Sequence, residues 1–231
     1  MNKFFKLITC LLLSFVIFSG CTSTKIKQEK QFLQGIIYDY NSEPVSGAEI
    51  FLLENDSDKP AKSVAFSDIT GHFSINSIKN YKEYTLIAKR DSYEDSSLQF
   101  LLSNSSQIIY LRMYSYNQLL SLAEEKVALK DYDTAEAYIK RAEAVGTSPL
   151  SYTYLLAVIN YLRGSYNEAL LYCENLINQG FTNSYIYLLL ADIYENGFGN
   201  KEKTIYYLEE YLKQNYNPDV EKRLDNLMEL N

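Results

Sequence analysis

From Leu33 onward, apolar and polar residues alternate with a period of two, broken at short intervals by turn residues. Gly35-Ile36-Ile37-Tyr38-Asp39 leads into the turn NSEPVSG, and Ala48-Glu49-Ile50-Phe51-Leu52 follows it. Lys62 to Ser67 alternates through Val64 and Phe66, His72 to Asn76 through Phe73 and Ile75, and Glu83 to Lys89 through Tyr84, Leu86 and Ala88. Leu98, Phe100 and Leu102 continue the pattern, and Ile109 and Leu111 close it. Side chains two apart share one face of a strand, so six or seven short strands at this spacing predict a small β-sandwich over 32–113.

After Met113 the period becomes that of helices, and the chain repeats itself. KDYDTAEAYIKRAEAV at 130–145 superposes on GSYNEALLYCENLINQ at 164–179 with an offset of 34 residues, placing Tyr132 on Tyr166, Ala135 on Ala169, Ile139 on Cys173 and Ala142 on Leu176. Ahead of each lies a second helix, with Leu122-Ala123 in the first unit and Leu156-Ala157 in the second at the close-contact positions. A third unit starts near Ser184 with Leu190-Ala191-x-x-Tyr194 and resumes at Thr204 to Leu208, one residue longer through its turn, ENGFGNKEK. Three units at about 116–149, 150–183 and 184–217, with the amphipathic tail from Pro218 to Leu230 as a capping helix, predict an all-α stack over 114–231. A lone helical hairpin could not bury its apolar face; stacking supplies the burial.

The N-terminus reads differently from both. Lys3 and Lys6 precede an apolar run from Leu7 to Phe18, and small Ser19 and Gly20 stand before Cys21. These are the parts of an export signal over 1–20, and the run is too short to span a bilayer as a permanent helix. The polar stretch that follows, within 21–31, has the composition of a tether with a reach of roughly 17 Å if flexible.

Charge and residue inventory narrow the function classes. The net charge of -7 becomes -9 when Lys3 and Lys6 leave with the signal, and an acidic chain with no basic cluster repels phosphate backbones, which argues against nucleic acid. His72 is the one histidine, and its neighbours supply no cysteine or second histidine for a metal site. It sits one residue from the inward-facing Phe73 and is expected to point outward. Glu54, Asp56 and Asp58 lack the ordered spacing of a calcium loop and read as a solvated hairpin tip. With no nucleophile, base or metal constellation, the sequence reads as a non-enzyme with no catalytic residue, no metal and no cofactor.

Three resemblances sharpen these expectations. Phe18-Ser19-Gly20-Cys21 resembles the lipobox of bacterial lipoproteins, with Phe18 where most carry Leu; this implies cleavage before Cys21 and lipid on its thiol, so that the chain is anchored to a membrane. On that reading Cys10 leaves with the signal, Cys21 is acylated, and Cys173 has no partner for an intramolecular disulfide. Thr22 is not the Asp that holds many lipoproteins at an inner membrane, which favours an outer membrane where the cell has two.

Gly35-x-Ile37-x-Asp39, Pro44-Val45-x-Gly47-Ala48-x-Ile50, Ser67-Asp68-x-x-Gly71-x-Phe73, Tyr84-x-Leu86-x-Ala88 and Tyr93 together resemble the carboxypeptidase regulatory-like domain, a transthyretin-like sandwich that serves as an accessory module. Ser42 and Ser92 stand where that family usually has glycine. Pro44 fixes a turn dihedral, Gly47 and Gly71 permit positive φ, and Asp68 can cap the turn that presents Gly71.

The 34-residue period resembles the tetratricopeptide repeat, and the longer third turn is similar to its Sel-type variant. That resemblance implies a concave groove lined by the first helix of each unit. The usual positions are Asn117, Leu120 and Glu124 in the first unit, Tyr154, Val158 and Tyr161 in the second, and Tyr185, Leu188, Asp192 and Glu195 in the third. Such a groove is aromatic and acidic, without the lysines and asparagines that clamp a terminal carboxylate, and suits an apolar or basic segment of a protein partner. The chain holds 22 tyrosines, most of which must simply pack. The expected function is a lipid-anchored cell-envelope adaptor. The alternative is a carbohydrate-binding envelope lipoprotein whose sandwich or Tyr-rich groove stacks on sugar rings, although the chain has no Trp, the usual platform.

Overall fold

The computed structural model describes residues 30–103, 107–146 and 148–229, and it divides into a two-sheet sandwich followed by seven helices. The export signal, Cys21 and the expected tether up to 29 lie outside the described residues. The strands are β1 (Lys30–Asp39), β2 (Glu49–Glu54), β3 (Lys62–Phe66), β4 (His72–Lys79), β5 (Lys82–Lys89), β6 (Ser96–Leu102) and β7 (Ile108–Met113). One sheet has the order β4-β1-β7 and the other β3-β2-β5-β6. All pairings are antiparallel except β1 with β7.

Most of the alternating positions face inward, but in the edge strand β3 Val64 and Phe66 are exposed and Ala65 packs on the core instead, and Leu98 in β6 is also exposed. Leu33, Ile37, Ile50, Phe73, Ile75, Leu86, Ala88, Ile109 and Leu111 form a single buried cluster between the sheets. Two strand ends depart from the alternation. β1 starts at Lys30, inside the expected tether, where Lys30 and Gln31 pair with Lys79 and Ile78. β4 runs past Asn76 because Ser77 takes φ 63° opposite a register shift between Gln31 and Leu33, and this bulge returns Ile78 to the core. A period-two pattern stops at a bulge even when the strand does not.

The quoted turn residues have local reasons. At Gly71, with φ 76°, a Cβ would lie 2.3 Å from the Ile37 carbonyl oxygen. Asp68 Oδ1 accepts from the Thr70 hydroxyl at 2.6 Å and from the backbone N–H of Thr70 and of His72 at 2.8 and 3.0 Å, and these bonds, the hydroxyl's first, hold its carboxyl below the ordinary value. Buried Ser67 donates to the Val45 carbonyl at 2.7 Å and accepts from the Ala48 N–H at 2.9 Å, fastening the β1–β2 turn to the end of β3. Ser42 and Ser92 take φ 68° and 66°, the left-handed conformation that glycine adopts without strain.

The helices are α1 (Tyr116–Ala128), α2 (Tyr132–Val145), α3 (Pro149–Leu162), α4 (Tyr166–Asn178), α5 (Tyr185–Asp192), α6 (Lys201–Leu212) and α7 (Pro218–Glu229). Ala123, Ala157 and Ala191 are fully buried at equivalent places, as are Ala135, Ala169 and Thr204. This is the packing of a tetratricopeptide-type solenoid: the small residues let each pair approach, and larger neighbours such as Ile159, Leu176 and Leu190 fill the space between. Cys173 is buried on the packed face of α4, and burial pushes its thiol up to about 12. Several tyrosines pack in a run between the last pairs, with Tyr187 stacked on Tyr207 at 6.4 Å and Tyr207 on Tyr194 at 5.5 Å.

The extra residue of the third unit is not taken up in the turn. It is absorbed one step earlier, where α5 continues into a π-helical turn, Ile193–Gly197. Gly197 is needed there, because a Cβ would meet the Tyr166 ring at 2.5 Å.

The halves are joined by more than chain continuity. Asp39 Oδ1 accepts from the N–H groups of Asn41 and Glu43, while its Oδ2 accepts from Gln118 Nε2 at 2.6 Å. Gln118 is also the third residue of α1 and completes a capping box with Ser115. Arg141 on α2 donates twice to Glu94, at 2.9 and 2.8 Å, and lies 4.7 Å from the Tyr114 ring centre. Tyr114 in turn stacks on Tyr40 at 5.6 Å.

Candidate functional site

The first helices of the second and third units, together with α7, bring a set of polar and aromatic side chains to one place. Tyr154 on α3 stacks on Phe181 at 5.6 Å, and one turn further along Val158 packs against the same buried cluster. Tyr161 follows, its hydroxyl accepting from Asn196 Nδ2 at 3.0 Å. Burial raises the Tyr161 hydroxyl above its ordinary value, and the nearby charge of Asp192 raises it further. Tyr154 is likewise raised by burial, with Tyr185 and Asp192 in electrostatic reach. Tyr185 is 56% exposed with its ring against Tyr211 at 5.9 Å, and Leu188 is half-buried beside the last helix pair.

Asp192 and Glu195 do not stand free. Arg223 on α7 places Nη1 2.7 Å from Asp192 Oδ1, donates from Nε to Glu195 Oε2 at 3.1 Å, and donates from Nη2 to that same oxygen. Burial works against the charge on this guanidinium, and the two carboxylates outweigh it, holding Arg223 more firmly protonated than usual. The capping helix therefore supplies countercharge for one of the two carboxylates in the expected acidic patch, and both are held in the same ion group.

The first-unit positions part from this cluster. Leu120, expected in the groove, is only 9% exposed within the buried cluster that α1, α2 and α3 share, so it offers a partner little surface. Asn117 lines a separate cleft of about 370 Å³ with Ser92, Tyr93, Ser115 and Ser148, between the sandwich and the helices. Glu124 is exposed on α1. Cys21 lies outside the described residues.

Three participants escaped the sequence reading. Phe181 sits in the loop before α5, Asn196 lies in the π turn, and Arg223 comes from a helix read only as a cap. A signal for the last was present, since Leu156, Leu190 and Leu224 keep the 34-residue spacing and mark α7 as a fourth helix of the first type.

Among the described residues, no three of His, Cys, Asp and Glu gather so as to hold a metal ion, and no helix is long and apolar enough to cross a membrane. His72 is exposed, its Nδ1 2.9 Å from the Thr70 hydroxyl.

No family model matches the sequence, and no curated protein matches it. Solved structures give distant likenesses. YrrB, described as a TPR protein with an unusual peptide-binding site, is 16% identical with a TM-score of 0.37, over 42% of this chain and 50% of its own. The N-terminal domain of stress-induced protein-1 (STI-1) from C. elegans is 13% identical with a TM-score of 0.39, over 49% of this chain and 94% of its own. BcpA, the major pilin subunit of Bacillus cereus, is 16% identical with a TM-score of 0.30, over 37% of this chain and 28% of its own. The chain thus spans half the length of YrrB and a smaller part of BcpA. Enzymes occur among the matches as well. At these scores the likenesses add nothing to the fold described above, which rests on strand register and repeat packing.

Proposed function

We propose that this chain is a non-catalytic, lipid-anchored protein of the cell envelope whose helical repeats hold a segment of a partner protein between α3, α5 and α7. The supporting observation is the gathering of Tyr154, Tyr161, Tyr185 and the Asp192–Arg223–Glu195 group from three separate helices onto one site. Aromatic faces with a few oriented polar groups are what peptide-holding surfaces use, because rings give contact area at small entropic cost. The sandwich acts as a docked spacer on the membrane side of the repeats, and lipid on Cys21 supplies the anchor. Two or more acyl chains are needed for lasting attachment, since one chain binds a membrane only marginally.

Two measurements test the two parts. A photo-crosslinking amino acid at Tyr185 in native membranes should capture a defined protein, whereas the same group at Tyr110 on the sandwich should not. Equal capture from both positions would remove the groove from the reading. Labelling with a fatty-acid analogue should mark the wild type and not Cys21→Ser; label retained in the variant would end the lipid-anchor half.

A further inference from the structure

The groove already holds an arginine. Asp192 and Glu195 lie one turn apart on the segment formed by α5 and its π turn, and the three donating nitrogens of Arg223 are matched to their oxygens. A forked planar cation satisfies that arrangement, and a lysine ammonium could not reproduce it. The three side chains are 32%, 38% and 32% exposed for Asp192, Glu195 and Arg223, so the ion group opens to solvent.

The supplier of this arginine is the last helix. α7 buries only Val220 and Leu224 among its twelve residues, and it packs on α6 with no further helix beyond it among the described residues. A terminal element with a neighbour on one side opens at lower free energy than an interior one. When α7 moves out, the carboxylates of Asp192 and Glu195 lose their countercharge, with Asp192 in electrostatic reach of both Tyr161 and Tyr154. That environment favours a cation of the same shape.

Building on the groove reading above, we propose that the partner segment presents an arginine to Asp192 and Glu195, and that Arg223 is its intramolecular stand-in. Exchange of one guanidinium for another leaves the charges of the site unchanged. Residues flanking the partner's arginine, set against Tyr161 and Tyr185, then provide the preference over Arg223. The apparent affinity is lowered by the fraction of molecules in which Arg223 holds the site.

The test uses the full chain and two blocked peptides of leucine and tyrosine, identical except that one carries arginine and the other citrulline, an uncharged isostere. Binding is read by fluorescence anisotropy. Arg223→Ala should bind the arginine peptide about tenfold tighter than wild type, with no gain for the citrulline peptide. Adding Asp192→Asn and Glu195→Gln should abolish the gain. Arg223→Met keeps the aliphatic stem and should show the same gain if the alanine variant loses helical signal by circular dichroism. Equal binding of both peptides, unaffected by Arg223, would overturn the stand-in and leave the groove reading standing. No binding to any variant, with Tyr185 silent in crosslinking, would remove both.

Discussion

In the sandwich, each critical contact joins residues far apart in the chain. A Cβ at Gly35 would meet the Phe73 ring and the Ile109 carbonyl, so three strands approach one another through a single missing side chain. In the helical half, each pair packs on the pair before and after it, and equivalent places carry Ala123, Ala157 and Ala191 in turn. A lesion in the first arrangement has no substitute elsewhere. In the second, it is confined by the one-dimensional order of the stack, which teaches that this chain joins one cooperative block to a series of graded ones.

The sharpest way to break that contrast is Gly71→Ala. Left-handed strain and the close approach to the Ile37 carbonyl should together cost roughly 3 kcal/mol, and thermal melting should show the whole sandwich weakened. In the solenoid, Gly197→Ala forces the Tyr166 ring aside for about 1–3 kcal/mol, with hydrogen exchange quickened in α5 and α6 and little changed in α1. Equal loss of protection throughout the helices would mean that they unfold as one block, and the contrast would collapse.

The joint between the halves comes next. Arg141→Ala removes the forked bond to Glu94 and the contact with Tyr114, and should cost about 1–2 kcal/mol. Calorimetry should then separate one unfolding transition into two; a single unshifted transition would show that the joint contributes nothing. Smaller still, and opposite in sign, Ser92→Gly and Ser42→Gly should each stabilise by about 0.5–1 kcal/mol by relieving positive φ. A loss in either variant would point to an unrecognised role for the hydroxyl.

The last prediction has no effect at neutral pH. Cys173 and Tyr207 are both pushed up to about 12 by burial, from ordinary values of 9.0 and 10.0. At neutral pH both are protonated whether the chain is folded or not, so their contribution is fully present. As pH rises toward 12 the unfolded chain releases those protons first, and stability falls. Tyr154 and Tyr161 shift the same way in the helical half, against Tyr84 in the sandwich. Alkaline unfolding followed by circular dichroism should therefore melt the helices before the sandwich, and the reverse order would contradict this assignment. At neutral pH a thiol reagent should reach Cys173 only at the rate of local opening.

Local chemistry made much of the architecture legible in one dimension. Alternation of Val, Ile, Phe and Tyr marks strands, and the 34-residue return of small residues marks helix pairs, because each depends on which side of its own element a residue faces. Gly71, Asp68 and the unusual serines at 42 and 92 were readable for the same reason, since turn conformation is decided within a few residues. The burial of Leu120 was not, because α1 is apolar on more than one face and only the helices stacked on it select which face closes.

The sequence by itself determined the order of elements, the repeat and the supply of tyrosines and carboxylates. Tertiary structure decided which of these meet. Asp39 gained Gln118, Glu94 gained Arg141, and the carboxylates of Asp192 and Glu195 gained Arg223. Each pair joins segments whose spacing is set by packed side chains between them, and the π turn Ile193–Gly197, which takes up one extra residue, sets Glu195 and Asn196 by a rotation that no linear pattern encodes. Charge partners across a fold depend on that accumulated rotation, and it exists only once the helices are stacked.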